Sequence, residues 1–287
     1  MKNYLFNYYE DVFPVKSEMN YFSHRNDNEF KINSLRISLT GECNENCFYC
    51  HNEGISKSSK CELEVEHIIS TIYSLKEFGL KKVKLTGGEP FLYKKIKQLI
   101  YAIKQIGDID IFITTNGTLI NKRINEISPS LIKKISISLD TLNEKKYQLI
   151  TGKNFHKEIL EGLNILVEKN FNIEIDSILL KSINTNKKDL LQIIDFCVLK
   201  NFNLQFIELS NAGNLNFYKK YYAEPSAVLK KVGFDFNIDK YNDRKIIKYK
   251  GINITLCRSV KDICFSSNGR CSGLRMLPNG QLKDFNY

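Results

Sequence analysis

Six strand-like segments recur between residues 34 and 208, each rich in β-branched residues or alternating apolar with polar ones. They are Leu35–Leu39, Lys82–Thr86, Ile111–Thr115, Ile135–Leu139, Ile173–Leu179 and Leu204–Glu208. Apolar stripes at helical spacing lie between them. Val65, Ile68, Ile69, Ile72 and Leu75 form one, and Ile96, Leu99, Ile100 and Ile103 a second. Leu160, Leu163 and Val167 form a third, and Leu190, Leu191, Ile194 and Cys197 a fourth. Strand–helix alternation of this kind restricts the chain to an α/β fold, with a parallel sheet and right-handed crossovers.

A parallel sheet places its chemistry at the carboxyl ends of its strands, and the conspicuous motifs fall there. Cys43-Asn-Glu-Asn-Cys47-Phe-Tyr-Cys50 follows the first strand, and Gly87-Gly88 the second. Thr114-Thr-Asn-Gly117 follows the third and Ser138-Leu-Asp140 the fourth. Three thiols spaced C-x3-C-x2-C suit a cubane iron–sulfur cluster held through three irons, with the fourth open to a small chelating ligand. A structural zinc site or a closed cluster takes four protein ligands. Half a zinc site completed from elsewhere, or unrelated thiols, are the weaker alternatives.

Eight cysteines in clustered spacings, no apolar run long enough to span a bilayer and no signal-peptide pattern in the first thirty residues make the expected location cytoplasmic. There the cysteines read as metal ligands rather than disulfides. The formal charge is +10, and the stretch from Tyr218 to Lys250 carries nine Lys/Arg against four Asp/Glu. The chain is rich in Lys, Asn and Ile throughout, so this stretch reads first as solvated surface. Steering of an anionic substrate, nucleic acid or an acidic electron donor is the alternative; no membrane or nucleic-acid partner is expected.

The cysteine spacing, the strand before it and Leu85-Thr-Gly-Gly-Glu-Pro90 resemble the radical S-adenosylmethionine (SAM) superfamily. The resemblance implies a partial (βα)6 TIM-type barrel carrying a [4Fe-4S] cluster on Cys43, Cys47 and Cys50. In the family SAM chelates the open iron, and one electron splits it to methionine and a 5′-deoxyadenosyl radical. It further implies SAM contacts at Tyr49, Gly87, Gly88, Glu89 and Ser138, and a donor such as flavodoxin or ferredoxin. Asp140 reads as a cap of the following helix.

Within the superfamily, Leu35-Arg-Ile-Ser-Leu-Thr40, Ser138-Leu-Asp-Thr-Leu142, Ile150-Thr-Gly152, Leu180-Lys-Ser-Ile-Asn184 and Phe206-Ile-Glu208 resemble the GTP cyclase of molybdenum-cofactor biosynthesis, the MoaA-like group. That likeness covers residues 34–213. It implies substrate contacts at Arg36, Lys84, Thr114 and Arg275, with Lys84 standing where the cyclase has an arginine. Glu174 stands where the cyclase has a phosphate-binding lysine, a reversal that weighs against GTP.

The C-terminal part departs further. Cys271 and Arg275 match the cyclase pattern, but Asn268, Gly273 and Phe285 replace its first cysteine, first arginine and third cysteine. Cys257, Cys264 and Cys271, spaced C-x6-C-x6-C, are expected to hold a second iron–sulfur cluster, with bare thiols or zinc as alternatives. This spacing resembles the auxiliary-cluster regions of peptide-modifying radical SAM enzymes. Cys61 and Cys197 read as non-ligands, His51 as packing or as a neighbour that supports the third cysteine, and His24, His67 and His156 form no constellation.

The expected organisation is an extension over 1–33, the core over 34–213 and a smaller C-terminal auxiliary-cluster segment over 214–287. The expected activity is hydrogen abstraction from a nucleotide or small phosphorylated substrate in a cyclisation or rearrangement. Maturation of a ribosomally made peptide is the alternative, and a non-catalytic iron–sulfur protein the lesser one.

Overall fold

Side chains alternate between the two faces of a strand, so the period-two pattern of the sequence separates the sheet into an apolar and a polar face. The computed structural model describes residues 32–50, 62–211, 215–236, 244–257 and 273–284. Six parallel strands run in chain order: β1 (Ser34–Ser38), β2 (Lys82–Thr86), β3 (Asp110–Thr115), β4 (Lys134–Ser138), β5 (Ile173–Ile178) and β6 (Asn203–Ile207). Ile37, Leu85, Ile113, Ile135 and Ile173 stand side by side across β1–β5, all buried.

The crossover helices cover that apolar face. They are α1 (Val65–Lys76), α2 (Ile96–Ile106), α3 (Ile120–Arg123), α4 (Glu144–Thr151), α5 (His156–Glu168) and α6 (Lys187–Lys200). On α2 the predicted stripe is the buried one: Ile96, Leu99, Ile100 and Ile103 are at most 1% exposed. Burying each such side chain contributes roughly 1.5–3 kcal/mol. On α5 the stripe is displaced from the predicted one. Ile159, Gly162, Leu163 and Leu166 face the core, while Val167 is 43% exposed. Gly162 lies where a Cβ would be 3.0 Å from Ile120 Cβ, so the closest approach of α5 to α3 selects this face.

Regular architecture continues past Glu208, where the last strand-like segment read from the sequence ends. After α7 (Leu215–Tyr221) and α8 (Pro225–Lys230), β7 (Arg244–Tyr249) and β8 (Ile252–Cys257) form a hairpin, with β8 parallel to β6. Its turn residues Lys250 and Gly251 both have positive φ, the backbone of a two-residue hairpin turn. At the other edge β9 (Gly273–Met276) joins β1 in parallel, and β10 (Leu282–Asp284) returns antiparallel through the turn at Pro278-Asn-Gly280. The result is one ten-stranded sheet, ordered β10-β9-β1-β2-β3-β4-β5-β6-β8-β7, a partial barrel with two open edges. Strands from the C-terminal segment flank the core on both sides.

The polar face lines the inside. Arg275, Arg36 and Lys84 share one register row across β9, β1 and β2. Thr114, Ser136 and Glu174 share another across β3–β5, and Ser138, Asp176, Gln205 and Thr255 a third across β4, β5, β6 and β8.

Candidate active site

The cysteine loop leaves β1 and is stapled by main-chain hydrogen bonds to two neighbours. Gly88 N donates to Thr40 O (2.7 Å) and Glu89 N to Glu42 O (2.8 Å). On the other side Asn46 N and Phe48 N donate to Thr151 O and Ile150 O (2.9 and 3.0 Å), using carbonyls that end α4. The glycine pair explains the first contact. A Cβ on Gly88 would lie 2.0 Å from Glu42 O, and one on Gly87, whose φ is +149°, 2.6 Å from Thr40 O. What the missing side chains admit is the backbone of the cysteine loop itself.

Cys43 and Cys50 are exposed and Cys47 is half-buried. Although Cys43 is exposed, desolvation by the surrounding protein pushes its thiol up to about 11; burial, with the Glu45 carboxylate adding to it, pushes Cys47 higher still. Both are therefore thiols at neutral pH, and ligation would displace a proton from each. Three thiols on one loop fit an iron–sulfur cluster, whose cysteine sulfurs stand apart from one another. Among the described residues no three His, Cys, Asp or Glu side chains converge on a single ion.

Glu89 is fully buried and its carboxylate is occupied by the chain. It accepts from Phe91 N (3.0 Å), Thr115 Oγ1 (2.6 Å) and Asn116 N (2.8 Å). Burial raises it to about 7 against those three hydrogen bonds. It thereby joins the loop after β2 to the loop after β3. Asn116 in turn donates from Nδ2 to Asn44 Oδ1 (2.9 Å) and lies 3.8 Å from Cys43 Sγ.

Asp140 does not cap α4; Asn143 does, accepting from Lys146 N (3.0 Å). Asp140 instead accepts from Tyr49 OH and Ile178 N, both at 2.7 Å. It is held by Asn184, whose Nδ2 donates to the carbonyls of Asp140 and Ile178 (2.8 Å each). Burial lifts Asp140 to about 6. Glu45, inside the cysteine run, accepts from Tyr147 OH and is lifted to about 7, again by burial. Phe48 packs against Phe217 and Tyr221 of α7, with ring centroids 5.7 and 5.0 Å away, so α7 covers this side of the loop. None of Asn116, Asp140, Glu45 and Phe48 was assigned these contacts from sequence, because their partners lie in other βα loops.

Inside the barrel, Arg36 and Lys84 lie within electrostatic reach of Cys257, at the end of β8. The Thr114 hydroxyl is buried without a hydrogen-bond partner among the described residues. Glu174 is ion-paired with Lys134 at 2.6 Å, and Asp176 accepts from Gln205 Nε2 at 3.1 Å. Burial raises Asp176 to about 6, with Lys84 opposing and Glu174 reinforcing. Arg244 donates to Gln205 Oε1. Ser138 ends β4 half-buried on this inner face. Cys264 and Cys271, like His51 and Cys61, lie outside the described residues.

Residues 37–197 match the model of the radical SAM superfamily. The chain belongs to that superfamily. It is an enzyme of the class that binds SAM at a [4Fe-4S] cluster. A GTP 3′,8-cyclase of Clostridium perfringens is 32% identical to it over 267 residues, 88% of this chain and 80% of that protein. A relative from Methanothermobacter thermautotrophicus, with the same reaction in its name, is 31% identical over 257 residues, 87% of this chain and 83% of the relative. Among solved structures, Streptococcus suis SuiB bound to its precursor peptide SuiA superposes with a TM-score of 0.71 at 19% identity. The match covers 93% of this chain but only 62% of SuiB, and at that identity it establishes the fold. No helix among the described residues is long and apolar enough to cross a membrane.

Proposed function

We propose that this radical SAM enzyme carries out a MoaA-like cyclisation or rearrangement of a nucleotide or small phosphorylated substrate held inside the barrel. When bound, cluster and SAM supply a 5′-deoxyadenosyl radical that takes a hydrogen atom from the substrate. Cys43, Cys47 and Cys50 hold the cluster. Tyr49, Gly87, Gly88 and Ser138 border SAM, and Glu89 contributes through the loops it joins. The observation that carries the substrate class is the register row Arg275, Arg36, Lys84, three cations side by side on the inner face. The inner residues Arg275, Arg36, Lys84, Lys134 and Arg244 outnumber the carboxylates Glu174 and Asp176, so the interior favours an anion. Thr114 adds a buried hydroxyl with no hydrogen-bond partner among the described residues. The aromatic cover formed by Phe48, Phe217 and Tyr221 helps to keep water from the reacting centre.

Glu174 gives the second reading its footing. A carboxylate where the cyclase has a lysine suits a basic peptide, and SuiB, of the same fold, was solved with a peptide bound. Anaerobic turnover with GTP deuterated on the ribose separates the two. Deuterium in 5′-deoxyadenosine is the expected result, and Cys47→Ala abolishes it. Cleavage of SAM without deuterium transfer from GTP or other phosphorylated compounds, but with transfer from a peptide encoded nearby, overturns the nucleotide reading.

A second cluster on Cys257, Cys264 and Cys271 belongs to the same proposal, supported by Cys257 lying at the barrel mouth end of β8 within electrostatic reach of Arg244, Lys84 and Arg36. Two clusters require roughly eight irons per chain and one cluster roughly four; a Cys257→Ala variant that keeps its full iron content overturns the second cluster.

A further inference from the structure

We infer that Asn116 sets the electron affinity of the iron–sulfur cluster through an N–H···S hydrogen bond to Cys43, and that Thr118 positions it. The inference rests on the reading that Cys43 is a cluster ligand.

The orientation of the Asn116 amide is fixed by its partners. Its Oδ1 accepts from Thr118 N (3.1 Å) and from Thr118 Oγ1 (2.7 Å). A main-chain N–H can only donate, so the oxygen end is settled and Nδ2 is the end that faces the cysteine loop. One Nδ2 hydrogen goes to Asn44 Oδ1 (2.9 Å), and Asn44 Nδ2 donates to Thr118 Oγ1 (2.7 Å), closing a ring of three side chains. The other Nδ2 hydrogen has Cys43 Sγ, 3.8 Å away, as its acceptor. Asn116 is 8% exposed, and its own N–H is tied to Glu89 Oε2. The amide is therefore preorganised by contacts that do not involve the sulfur.

Once the sulfur is a thiolate on iron, the positive end of this N–H faces it. Hydrogen bonds to cluster sulfurs stabilise the reduced, more negative state and raise the potential. The three cysteines are not equivalent in this respect. Cys43 also receives the Glu45 main-chain N–H, whereas Cys47 Sγ faces the Glu45 carboxylate at 3.5 Å.

The test is an anaerobic redox titration with dithionite, following the one-electron reduction of the reconstituted cluster by electron paramagnetic resonance. Asn116→Asp has the same shape and keeps the oxygen that Thr118 donates to, but presents a carboxylate oxygen to the sulfur. Asn116→Ala removes the donor alone. Both variants are expected to hold wild-type iron and sulfide and to titrate at more negative potentials, Asp the more so. Thr118→Val, which removes the hydroxyl that holds the Asn116 oxygen and changes no charge, is expected to shift the potential in the same direction by less. Unchanged potentials at full iron content overturn the inference, and so does failure of both Asn116 variants to hold iron, which makes the residue structural. A wild-type protein with no cubane signal overturns the inference together with the reading beneath it.

Discussion

The barrel mouth, formed by the loops that follow β1–β3, and the inner wall, formed by the polar faces of the strands, are built from different kinds of interaction. At the mouth, main-chain groups, glycines and short amides bind one loop to the next: Gly88 to Thr40, Glu89 to Glu42 and to Asn116, Asn44 to Thr118. Along the wall, long charged side chains pair across strands: Lys134 with Glu174, Asp176 with Gln205, Arg244 with Gln205. A backbone lattice tolerates almost no change in shape. A charged pair can be exchanged for another of similar size without moving a strand. On the proposed reading the mouth holds the SAM chemistry, and the wall is where a change of substrate is accommodated.

Gly88→Ala is the harshest test of that contrast. The added methyl would sit 2.0 Å from Glu42 O, so the cysteine loop must shift. The expected outcome is loss of iron binding on anaerobic reconstitution, with about 1–3 kcal/mol of overpacking strain in the melting curve. Full iron content in this variant would show the mouth to be more pliant than its contacts imply.

Arg36→Ala should leave the mouth intact and weaken the wall's hold on an anionic substrate. Removing one charge-assisted hydrogen bond of about 1.5–3 kcal/mol corresponds to a rise in KM of roughly ten- to 150-fold. SAM cleavage without substrate should be unchanged, and equal losses in both would place Arg36 in the mouth's lattice instead.

The effect that leaves iron and substrate binding untouched is a pH dependence of stability. The carboxyl of Asp176 is raised to about 6 in the fold, so its stabilising contribution is complete below the ordinary carboxylate value and is lost as pH rises through about 6. Asp176→Asn should match the wild type near pH ~4 and gain stability toward neutrality, by at most about 3 kcal/mol. Melting temperatures measured across that range decide it; a difference independent of pH means that Lys84, Lys134 and Arg244 hold the carboxylate charged throughout.

The sequence was most informative where one physical signal acted alone. The strands β1–β6 are marked by β-branched runs, and the α2 stripe is unambiguous because its other face is polar. On α5, Ile159, Leu160, Leu163, Leu166 and Val167 spread over an arc of about 120° at 3.6 residues per turn, and either edge of that arc could face the core; contact with Ile120 chose. The β7–β8 hairpin was hidden because β7 is an edge strand with Lys245 and Lys248 among its apolar residues, a composition that discourages edge-to-edge pairing and reads as a solvated loop. The Lys250-Gly251 turn was its one local signature. The cysteine run and Gly87-Gly88 announced the site. The roles of Glu89, Asp140 and Asn116 did not, because each depends on a donor or acceptor brought in from a different strand end.

The two antiparallel strands that finish the sheet, β10 and β7, leave it as a gutter rather than a tube. A sealed cylinder fixes its bore once its last ladder is formed. Here no ladder among the described strands joins the two rims, so the strand number alone does not set the width available to a guest.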